Sequence, residues 1–411
     1  MSSSTSPNHS DLPLAGLKVV DLSQGVAGPH CGMLFAQYGA DVVKVEPTAG
    51  DWGRAIGAQH GDFCAYFAAF NRGKRSLAVN LKSEFGLDAV KTLMAQADVV
   101  IENYRPGVLK RFGLDYSSVV VDNTDVIYVS VTGFGQSGPL SASPATDSIL
   151  QSYSGLMSVN RDERGTPQRI GVLVIDVVTG LYAYQAAATA LYGRLTRGHG
   201  KHIEVSLMDS VGALQAGKML EFHLEGAEGK KPGVPVGTFA LADGFMTINA
   251  RRDSHFNALC EIIGRSDLLD DSRFSTSVAR LDHEDELMPL IREPLKSWTR
   301  DKLGRELERL DILHAPVNDY ADYFTDEHVV QSQAISWVVH PTVGEIPIHR
   351  VPGLVTQTTG PLAVSPTIGE HSEEVLKQVG FTNDAIHAAF ASHAVSGSTR
   401  TVDEAHTAKT S

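Results

Sequence analysis

The sequence of 411 residues has only three cysteines, and they are placed neither for a disulfide framework nor for a zinc site. Cys31, Cys64 and Cys260 stand far apart, and no two of them have Cys-x-x-Cys spacing. Small secreted folds built on disulfides and structural zinc modules are therefore excluded. Isolated thiols are typical of a reducing compartment, so we expect a cytoplasmic location.

Long uninterrupted apolar segments are also lacking. The longest apolar stretch, 172–195, contains Asp176, Tyr182, Tyr184 and Gln185. Such residues suit a helix packed against other protein better than a helix in lipid. The first thirteen residues have no apolar core of a signal peptide. We predict no membrane span.

Basic residues are fewer than acidic ones, 35 against 48, which gives a formal net charge of −13. No basic segment is as dense as a nucleic-acid-binding arm, so a nucleic-acid partner is not expected. The sixteen histidines are scattered, and the sequence has no serine nucleophile elbow, no His-Glu-x-x-His and no Walker loop. These absences disfavour hydrolase and metalloenzyme functions and predict no metal site.

Short apolar segments alternate with amphipathic ones in the first half of the chain. The pattern predicts strands at 17–22, 41–46, 77–81, 99–101, 126–131 and 202–207, and helices at 28–39, 84–97, 176–195 and 208–226. This alternation indicates an α/β domain with a largely parallel sheet, which we place at 14–225.

The pattern of apolar and polar residues changes after about residue 236. A predicted hairpin at 239–248 turns on Asp243-Gly244, and helices to about 311 and short strands near 335–350 follow. We predict a smaller α+β domain with linkers at 226–350 and a return to the large domain at 351–394. The polar segments 1–13 and 395–411 are expected to be disordered tails.

Three aspartates are candidates for chemistry, each with a structural alternative. Asp176 stands in an apolar segment at the predicted start of a helix, where it either caps the helix or acts as a catalytic carboxylate held ionised by the helix dipole. Asp147 also opens a predicted helix, and capping is favoured there. Asp162 lies in the polar loop 160–167, where a solvated side chain is the better interpretation.

Two further patterns point to an anionic ligand. Basic residues cluster at 71–76, with Lys82 nearby, and again at 105–111, and such clusters either hold phosphates or form solvated surface. The segment 133–138 matches Gly-x-Gly-x-x-Gly, which is typical of dinucleotide-binding loops. The dinucleotide interpretation is weak because Pro139 and the segment 141–144 delay the next helix to about Asp147.

Taken in order, the motifs resemble those of the class III CoA-transferases, also called the CaiB/BaiF family, which includes formyl-CoA transferase and α-methylacyl-CoA racemase. The matching segments span about residues 12 to 385, and they are 14–23, 27–29, 38–46, 71–76, 100–107, 131–139, 176–180 and 369–371. The resemblance implies a Rossmann-like large domain, a small domain and an interlocked homodimer. It also implies CoA thioesters as substrates, with no tightly bound cofactor.

The resemblance assigns roles to particular residues. It implies a CoA site formed by Val26, Ala27, Arg75, Val79, Lys82, Asn103, Tyr104, Arg105, Arg111 and the loop from Thr132. It also implies that Asp176, in Asp-Val-Val-Thr-Gly, attacks the thioester and forms an acyl-aspartyl anhydride and then an aspartyl-CoA thioester. We expect the helix N-terminus to keep Asp176 ionised and nearby backbone N–H groups to stabilise each oxyanion.

Two departures from the family pattern matter for function. Some transferases cover the intermediate with a glycine-rich loop, and here only 236–239 stands near that place. The racemases place a histidine before the acid of the preceding helix, where this chain has Thr146. Transfer of CoA to a free acid is therefore favoured, with a racemase or a CoA-binding protein without catalysis as alternatives.

The acid substrate is less well defined by the sequence. The resemblance favours a short dicarboxylate such as succinate, which the family often uses, and the cations Arg54, Arg169 and Arg251 are available to meet a second carboxylate. Each of the three is equally well explained as a solvated surface charge.

Overall fold

The computed structural model describes residues 12–162, 164–226, 233–340, 343–354 and 364–397. The chain forms two compact units, the first made of Met1–Ala216 with Ile335–Ser411 and the second of Gly217–Ala334. The second unit is shorter than the small domain predicted at 226–350. The difference at its end arises because the hairpin after residue 334 packs on the first unit, where His340 stacks against Phe63 with ring centroids 4.1 Å apart.

The described residues contain fourteen strands and seventeen α-helices. The strands are β1 (Lys18–Asp21), β2 (Asp41–Glu46), β3 (Gln59–His60), β4 (Phe63–Cys64), β5 (Arg75–Val79), β6 (Val99–Glu102), β7 (Ile127–Thr132), β8 (Lys201–Ser206), β9 (Val236–Leu241), β10 (Gly244–Asn249), β11 (Leu313–Pro316), β12 (Ile335–His340), β13 (Gly344–His349) and β14 (Val395–Ser396). The helices are α1 (Ala27–Gln37), α2 (Ala65–Asn71), α3 (Glu84–Ala95), α4 (Tyr116–Asp122), α5 (Asp147–Tyr153), α6 (Leu156–Val159), α7 (Val174–Arg197), α8 (Leu207–Leu214), α9 (Ala216–Glu225), α10 (Asp253–Ile262), α11 (Ser277–Asp282), α12 (Glu284–Leu295), α13 (Arg300–Arg309), α14 (Tyr320–Thr325), α15 (Glu327–Gln331), α16 (Ser372–Gln378) and α17 (Asn383–Ala391).

A seven-stranded sheet with the order β14-β5-β2-β1-β6-β7-β8 organises the first unit. All of its pairs are parallel except β14 with β5, which confirms the predicted α/β class with a parallel sheet. The chain order reverses between β1 and β6, because β2 and β5 extend the sheet on one side and β7 and β8 on the other. Ligands of such open sheets bind at this switch point, beyond the carboxyl ends of the strands.

The strands are apolar on both faces because helices cover both sides of the sheet. On one side Val20, Val100 and Tyr128 pack with α3, α4 and the C-terminal helices α16 and α17. On the other side Val19 and Ile101 pack with α1 and α7. The unbroken valine and isoleucine runs seen in the sequence are the signature of this burial.

Helix α7 is the one helix of the described residues that is long and apolar enough to cross a membrane, by length and composition alone. One face, with Ile175, Thr179, Ala183 and Ala187, is buried in the core of the first unit. Core helices of this kind pass the same length and hydropathy test, so the test by itself does not indicate a span. The helix predicted at 208–226 is in fact two helices, α8 and α9, which meet at Gln215.

At both ends of the described chain, residues that were predicted to be disordered pack on the first unit. Val395 was expected to open a disordered tail, but it is buried and pairs with Val79 at the edge of the sheet. Leu12, inside the predicted N-terminal tail, is also buried. Backbone pairing and apolar contact fix these residues, which the polar composition of their neighbours does not reveal. Residues 1–11 and 398–411 of the predicted tails lie outside the described residues.

The second unit has its own core. β9, β10 and β11 form an antiparallel sheet, and β9 and β10 are the predicted hairpin, with Gly244 opposite Leu241 across the turn. Helices α10, α12 and α13 bury leucine and isoleucine side chains against it. The segment 236–239, which stands where a glycine-rich loop was sought, is part of strand β9 in this unit.

Candidate active site

The switch point of the sheet is closed by hydrogen bonds between the loop after β1 and the loop after β6. Asn103 Nδ2 donates to the carbonyl oxygen of Gln24 at 2.7 Å, and Asn103 Oδ1 accepts from the backbone N–H of Gln24 at 2.8 Å. Gln24 Nε2 donates to the hydroxyl oxygen of Tyr104 at 3.0 Å. The polar groups of Asn103 and Tyr104 therefore fix the rim of the crevice.

Most of the residues predicted to bind CoA lie at this carboxyl edge of the sheet. Val26 and Ala27 follow β1, Val79 and Lys82 end and follow β5, and Thr132 ends β7. Val26, Ala27, Val79 and Thr132 are buried, whereas Lys82, Arg105 and Arg111 are exposed. Within the described residues these three cations have no ion pair, so their charge is available to a ligand.

Arg75 is the exception, because the structure does not bring it to this edge. It begins β5 and donates to both carboxylate oxygens of Asp41, at 2.9 and 2.6 Å, where Asp41 begins β2. It also pairs with Glu374 at 3.0 Å. Arg75 therefore lies toward the amino end of the strands with its charge compensated. The sequence of the basic cluster at 71–76 did not show that Arg75 lies at the amino edge of the sheet.

Three buried ion pairs lie beneath the loop after β1. They are Lys44–Asp51, Arg54–Glu46 and Lys74–Asp21, each with a shortest N to O distance of 2.7 Å. Asp51 Oδ1 also accepts from the backbone N–H of Gly25 at 3.0 Å, and Lys74 Nζ donates to the carbonyl oxygen of Pro29 at 2.7 Å. The pairs hold both sides of the β1 to α1 turn in place.

Asp176 lies in the first turn of α7, as predicted, and is partly exposed. The carboxylate of Asp147 approaches the same helix end from the start of α5. Its Oδ2 accepts from the backbone N–H groups of Ile175 at 2.7 Å and Asp176 at 3.2 Å. Gln151 Nε2 donates to the other oxygen of Asp147 at 2.6 Å. Asp147 was expected to cap its own helix and instead caps α7.

This arrangement contradicts the expected use of the helix N-terminus. The N–H groups of Val174 and Val177 bond to backbone carbonyls of residues 172 and 173, and those of Ile175 and Asp176 bond to Asp147. All four N–H groups of the first turn are thus occupied, and none is left to stabilise an oxyanion. Burial and the nearby charge of Asp147 raise the pKa of Asp176 to about 7 instead of keeping it low.

Helix α7 and helix α1 approach closely one turn beyond Asp176. A Cβ atom at Gly180 would lie 2.7 Å from the carbonyl oxygen of Ala27 and 2.7 Å from His30 Cβ, so only glycine fits. His30 Nδ1 donates to the carbonyl oxygen of Val177 at 3.0 Å. The candidate CoA-binding turn at Ala27 and the candidate nucleophile helix are therefore in direct contact. Sequence analysis did not single out His30 or Gln151, although Gln151 stands one helical turn after Asp147.

The remaining candidates are placed as follows. Asp162 is fully exposed, and hydrogen bonds from the backbone of Thr166 and Arg164 lower its pKa. Arg54 is buried in its pair with Glu46, and Arg251 belongs to the second unit. Arg169 is exposed in the segment before α7. The Gly-x-Gly-x-x-Gly loop leads to α5 only at Asp147, so no helix begins where a dinucleotide site needs one.

A cavity of about 250 Å³ lies beside the loop after β6. Arg105 and Lys110 line it, together with Glu102, whose pKa is raised to about 7 by burial. The three cysteines are free and buried. In the described ranges, no group of three histidine, cysteine, aspartate or glutamate side chains is arranged to hold a metal ion.

Comparison with known proteins gives the family. The model described as CoA-transferase family III matches residues 14–372. A succinate–glutarate CoA-transferase from Agrobacterium fabrum is 35% identical over 385 residues, which cover 89% of this chain and 96% of the relative. A succinyl-CoA:glutarate CoA-transferase from Homo sapiens is 33% identical over 379 residues, covering 89% of this chain and 86% of the relative. The solved structure of a CaiB/BaiF family protein from Brucella suis has a TM-score of 0.81 at 34% identity, covering 90% of this chain and 99% of that one.

The chain therefore belongs to CoA-transferase family III. Since the family and the relatives named above are CoA-transferases, this protein is a CoA-transferase, and CoA thioesters are its substrates.

Proposed function

We propose that the protein moves coenzyme A from the CoA thioester of a dicarboxylic acid, such as succinyl-CoA, to a free dicarboxylic acid. We propose that Asp176 is the nucleophile. The observation that carries the proposal is the Asp176 carboxylate, which stands in the first turn of α7 in a member of this family. Relatives that cover most of the chain are named for succinate, glutarate and succinyl-CoA, which supports short dicarboxylates as the substrate class.

The chemistry we propose uses no redox step. A carboxylate oxygen of Asp176 attacks the thioester carbonyl, and the CoA thiolate leaves, so that a mixed anhydride forms. The thiolate then attacks the Asp176 carbonyl carbon and releases the donor acid, giving an aspartyl-CoA thioester. The acceptor carboxylate attacks that thioester, and the returning thiolate cleaves the second anhydride to give the new acyl-CoA and free Asp176.

Three features of the site support this sequence of steps. A pKa near 7 leaves a large fraction of Asp176 ionised at neutral pH while keeping it more basic, and hence more nucleophilic, than an ordinary aspartate. The contact at Gly180 holds the nucleophile helix against Ala27. The free cations Lys82, Arg105 and Arg111 at the carboxyl edge suit the phosphates of CoA, since arginine and lysine bind such groups by charge-assisted hydrogen bonds.

The oxyanions of the four tetrahedral intermediates need donors other than the first turn of α7. The backbone N–H groups of Gln24 and Gly25 already donate to Asn103 and Asp51. We propose that the first N–H groups of α1 take that role instead, since this helix has no side-chain cap at its start and contacts α7 at Gly180. A racemase would need a base at the position of Thr146, and a threonine hydroxyl is not basic enough to remove an α-proton.

We further propose a homodimer located in the cytoplasm. Helix α9 has no buried residue between Ala216 and Glu225, and it exposes Met219, Leu220, Phe222 and Leu224 by 54–70%. Tyr192 and Leu195 of α7 are likewise exposed, by 71% and 83%. Apolar side chains concentrated on two helices suit coverage by a second copy of the chain.

Trapping of the covalent intermediate tests the proposal. The protein is incubated with succinyl-CoA and treated with hydroxylamine or borohydride, and the modified peptide is mapped by mass spectrometry. We expect modification at Asp176 in the wild type and none in Asp176→Asn. Modification at Asp147 or Asp162 would overturn the residue assignment. No modification, together with exchange of the substrate α-hydrogen for solvent deuterium, would favour a racemase.

A further inference from the structure

Within the basic cluster at 71–76, the structure separates paired cations from an unpaired one. Lys74 is paired with Asp21, and Arg75 is paired with Asp41 and Glu374. No hydrogen bond or ion pair reaches the guanidinium of Arg72 from the described part of the chain, and its Nε atom is buried without a partner. Arg72 is therefore the member of the cluster whose charge is not compensated.

The burial of Arg72 makes this lack of a partner significant. The residue is only 6% exposed, so more than nine tenths of it is removed from solvent. Burial alone lowers its pKa to about 10, and no carboxylate acts against that effect. A buried cation without a counter-ion costs several kcal/mol in a folded protein. Such a group is stabilised when an anion joins it.

The position of Arg72 links it to the candidate nucleophile. Burial lowers the pKa of His30 to about 4 against the hydrogen bond to Val177, and the positive charges of Lys74 and Arg72 act in the same direction as burial. His30 in turn donates from Nδ1 to the carbonyl oxygen of Val177, the residue after Asp176. Phe70 stacks on the same imidazole, with ring centroids 5.1 Å apart. His30 thus connects the segment that carries Phe70 and Arg72 to the first turn of α7.

We propose that Arg72 binds the distal carboxylate of the dicarboxylic substrate while the other end of that substrate reacts at Asp176. The inference rests on the proposed function, and it names the residue that selects dicarboxylates over monocarboxylates. A guanidinium fork binds a carboxylate through two parallel hydrogen bonds, and exclusion of water at a buried site strengthens them. The distal carboxylate of the substrate then meets the positive charge of Arg72, whereas the reacting end meets the acidic side chains of Asp176 and Asp147.

The three arginines named from the sequence fit this role less well. Arg54 already donates to both carboxylate oxygens of Glu46, at 2.8 and 2.7 Å. Arg251 lies in the second unit, and Arg169 is solvated and gains little from an ion pair in water. The burial of Arg72 and its lack of a counter-ion distinguish it from all three.

The first test is calorimetric binding of glutarate and of pentanoate, which has the same number of carbons but one carboxylate. We expect Arg72→Gln to weaken glutarate binding by about 10- to 100-fold, in line with the loss of hydrogen bonds between charged groups, and to leave pentanoate binding unchanged. Arg72→Lys keeps the charge without the fork and is expected to fall between the two. Arg309→Gln, at an exposed pair with Glu306, is the matched control.

Stability gives an independent readout. Without ligand, Arg72→Gln is expected to unfold at a higher temperature than the wild type, because it removes an uncompensated buried charge. Glutarate is expected to raise the unfolding temperature of the wild type and not that of Arg72→Gln. Unchanged glutarate binding in Arg72→Gln would overturn the proposal. Dissociation of a dimeric wild type by Arg72→Gln in light scattering would also overturn it, since Arg72 would then pair with an acid of a second copy.

A separate measurement distinguishes failure of this inference from failure of the proposed function. Butyryl-CoA has no second carboxylate, so its acyl transfer to Asp176 does not need Arg72. Trapping of that intermediate in Arg72→Gln, at the wild-type rate, is the expected result. Loss of Asp176 labelling in the wild type would count against the proposed function, while the calorimetric comparison would still decide whether Arg72 binds the second carboxylate.

Discussion

Two groups of charges in the first unit differ in how they are compensated. Beneath the loop after β1, Lys44, Arg54 and Lys74 each have a carboxylate at 2.7 Å. At the start of α7, Asp176 lies beside another acid, Asp147, and in the segment after α2 Arg72 has no partner among the described residues. Charges that are paired in the folded protein hold a loop in place. A charge without a counter-ion is instead stabilised when a ligand joins it or a reaction neutralises it. The first group is thus structural and the second is where substrate chemistry is expected.

The largest effect is expected from Asp176→Asn, which removes the proposed nucleophile. CoA transfer should fall by at least about 10³-fold, because an asparagine amide does not form the proposed anhydride. The measurement is the steady-state rate with succinyl-CoA and glutarate. Asp162→Asn, at a fully exposed acid, should keep the wild-type rate. A substantial rate in Asp176→Asn would move the chemistry to another residue.

The same variant also tests the raised pKa of Asp176 through stability. A group with a folded-state pKa near 7 and an unfolded value near 3.8 disfavours folding as pH rises between those values, and the full cost is present above pH 7. Asp176→Asn removes that cost. Its unfolding temperature should exceed that of the wild type at pH 8, and the difference should shrink toward pH 4. Equal unfolding temperatures at both pH values would contradict the pKa.

Breaking a matched pair should affect stability strongly. Lys74→Met leaves Asp21 buried without its cation and is expected to destabilise the protein by about 3–5 kcal/mol. Arg75→Met breaks a partly exposed pair two strands from the crevice and should cost about 1 kcal/mol or less. Thermal unfolding of the two variants compares the sites directly. Similar losses in both would mean that burial does not set the strength of these pairs.

The contact between α7 and α1 is tested by a pair of glycine substitutions in one helix. Gly180→Ala places a Cβ atom 2.7 Å from the Ala27 carbonyl oxygen, and we expect about 1–3 kcal/mol of destabilisation and slower transfer. Gly193→Ala meets nothing within 4 Å and should stabilise the helix by about 0.5–1 kcal/mol. Destabilisation of the same size by both variants would show that the close approach at Gly180 is unimportant.

The smallest expected effect is a shift in pH dependence. Since the ionised form of Asp176 attacks, kcat/KM should rise with pH up to about 7 and then level off. Asp147→Asn removes the neighbouring negative charge, so this rise should move to lower pH by roughly half a unit to one unit. Asp147→Glu keeps the charge and serves as the control. A rise centred near pH 4 in the wild type would contradict the environment described for Asp176.

Local patterns were sufficient for much of the fold. Strand β2 was predicted with its observed bounds, and the hairpin of β9 and β10 turns on Asp243-Gly244 as expected, because strand and turn preferences depend on near neighbours. The end of the small domain and the tail at Val395 were placed differently from the structure. Both depend on contacts with residues far away in the chain, which composition does not record.

The sequence by itself determined the parallel α/β class, the family resemblance and the place of Asp176 at the start of a long helix, since each rests on spacing along the chain. Only the tertiary structure decided which charged groups lie close enough to pair. It paired Arg75 with Asp41, brought Asp147 to the N–H groups of α7 and left Arg72 buried with no counter-ion in the part of the chain that the structure describes. Electrostatic free energy depends on distance and burial in three dimensions, and residues equally basic in sequence therefore differ in function.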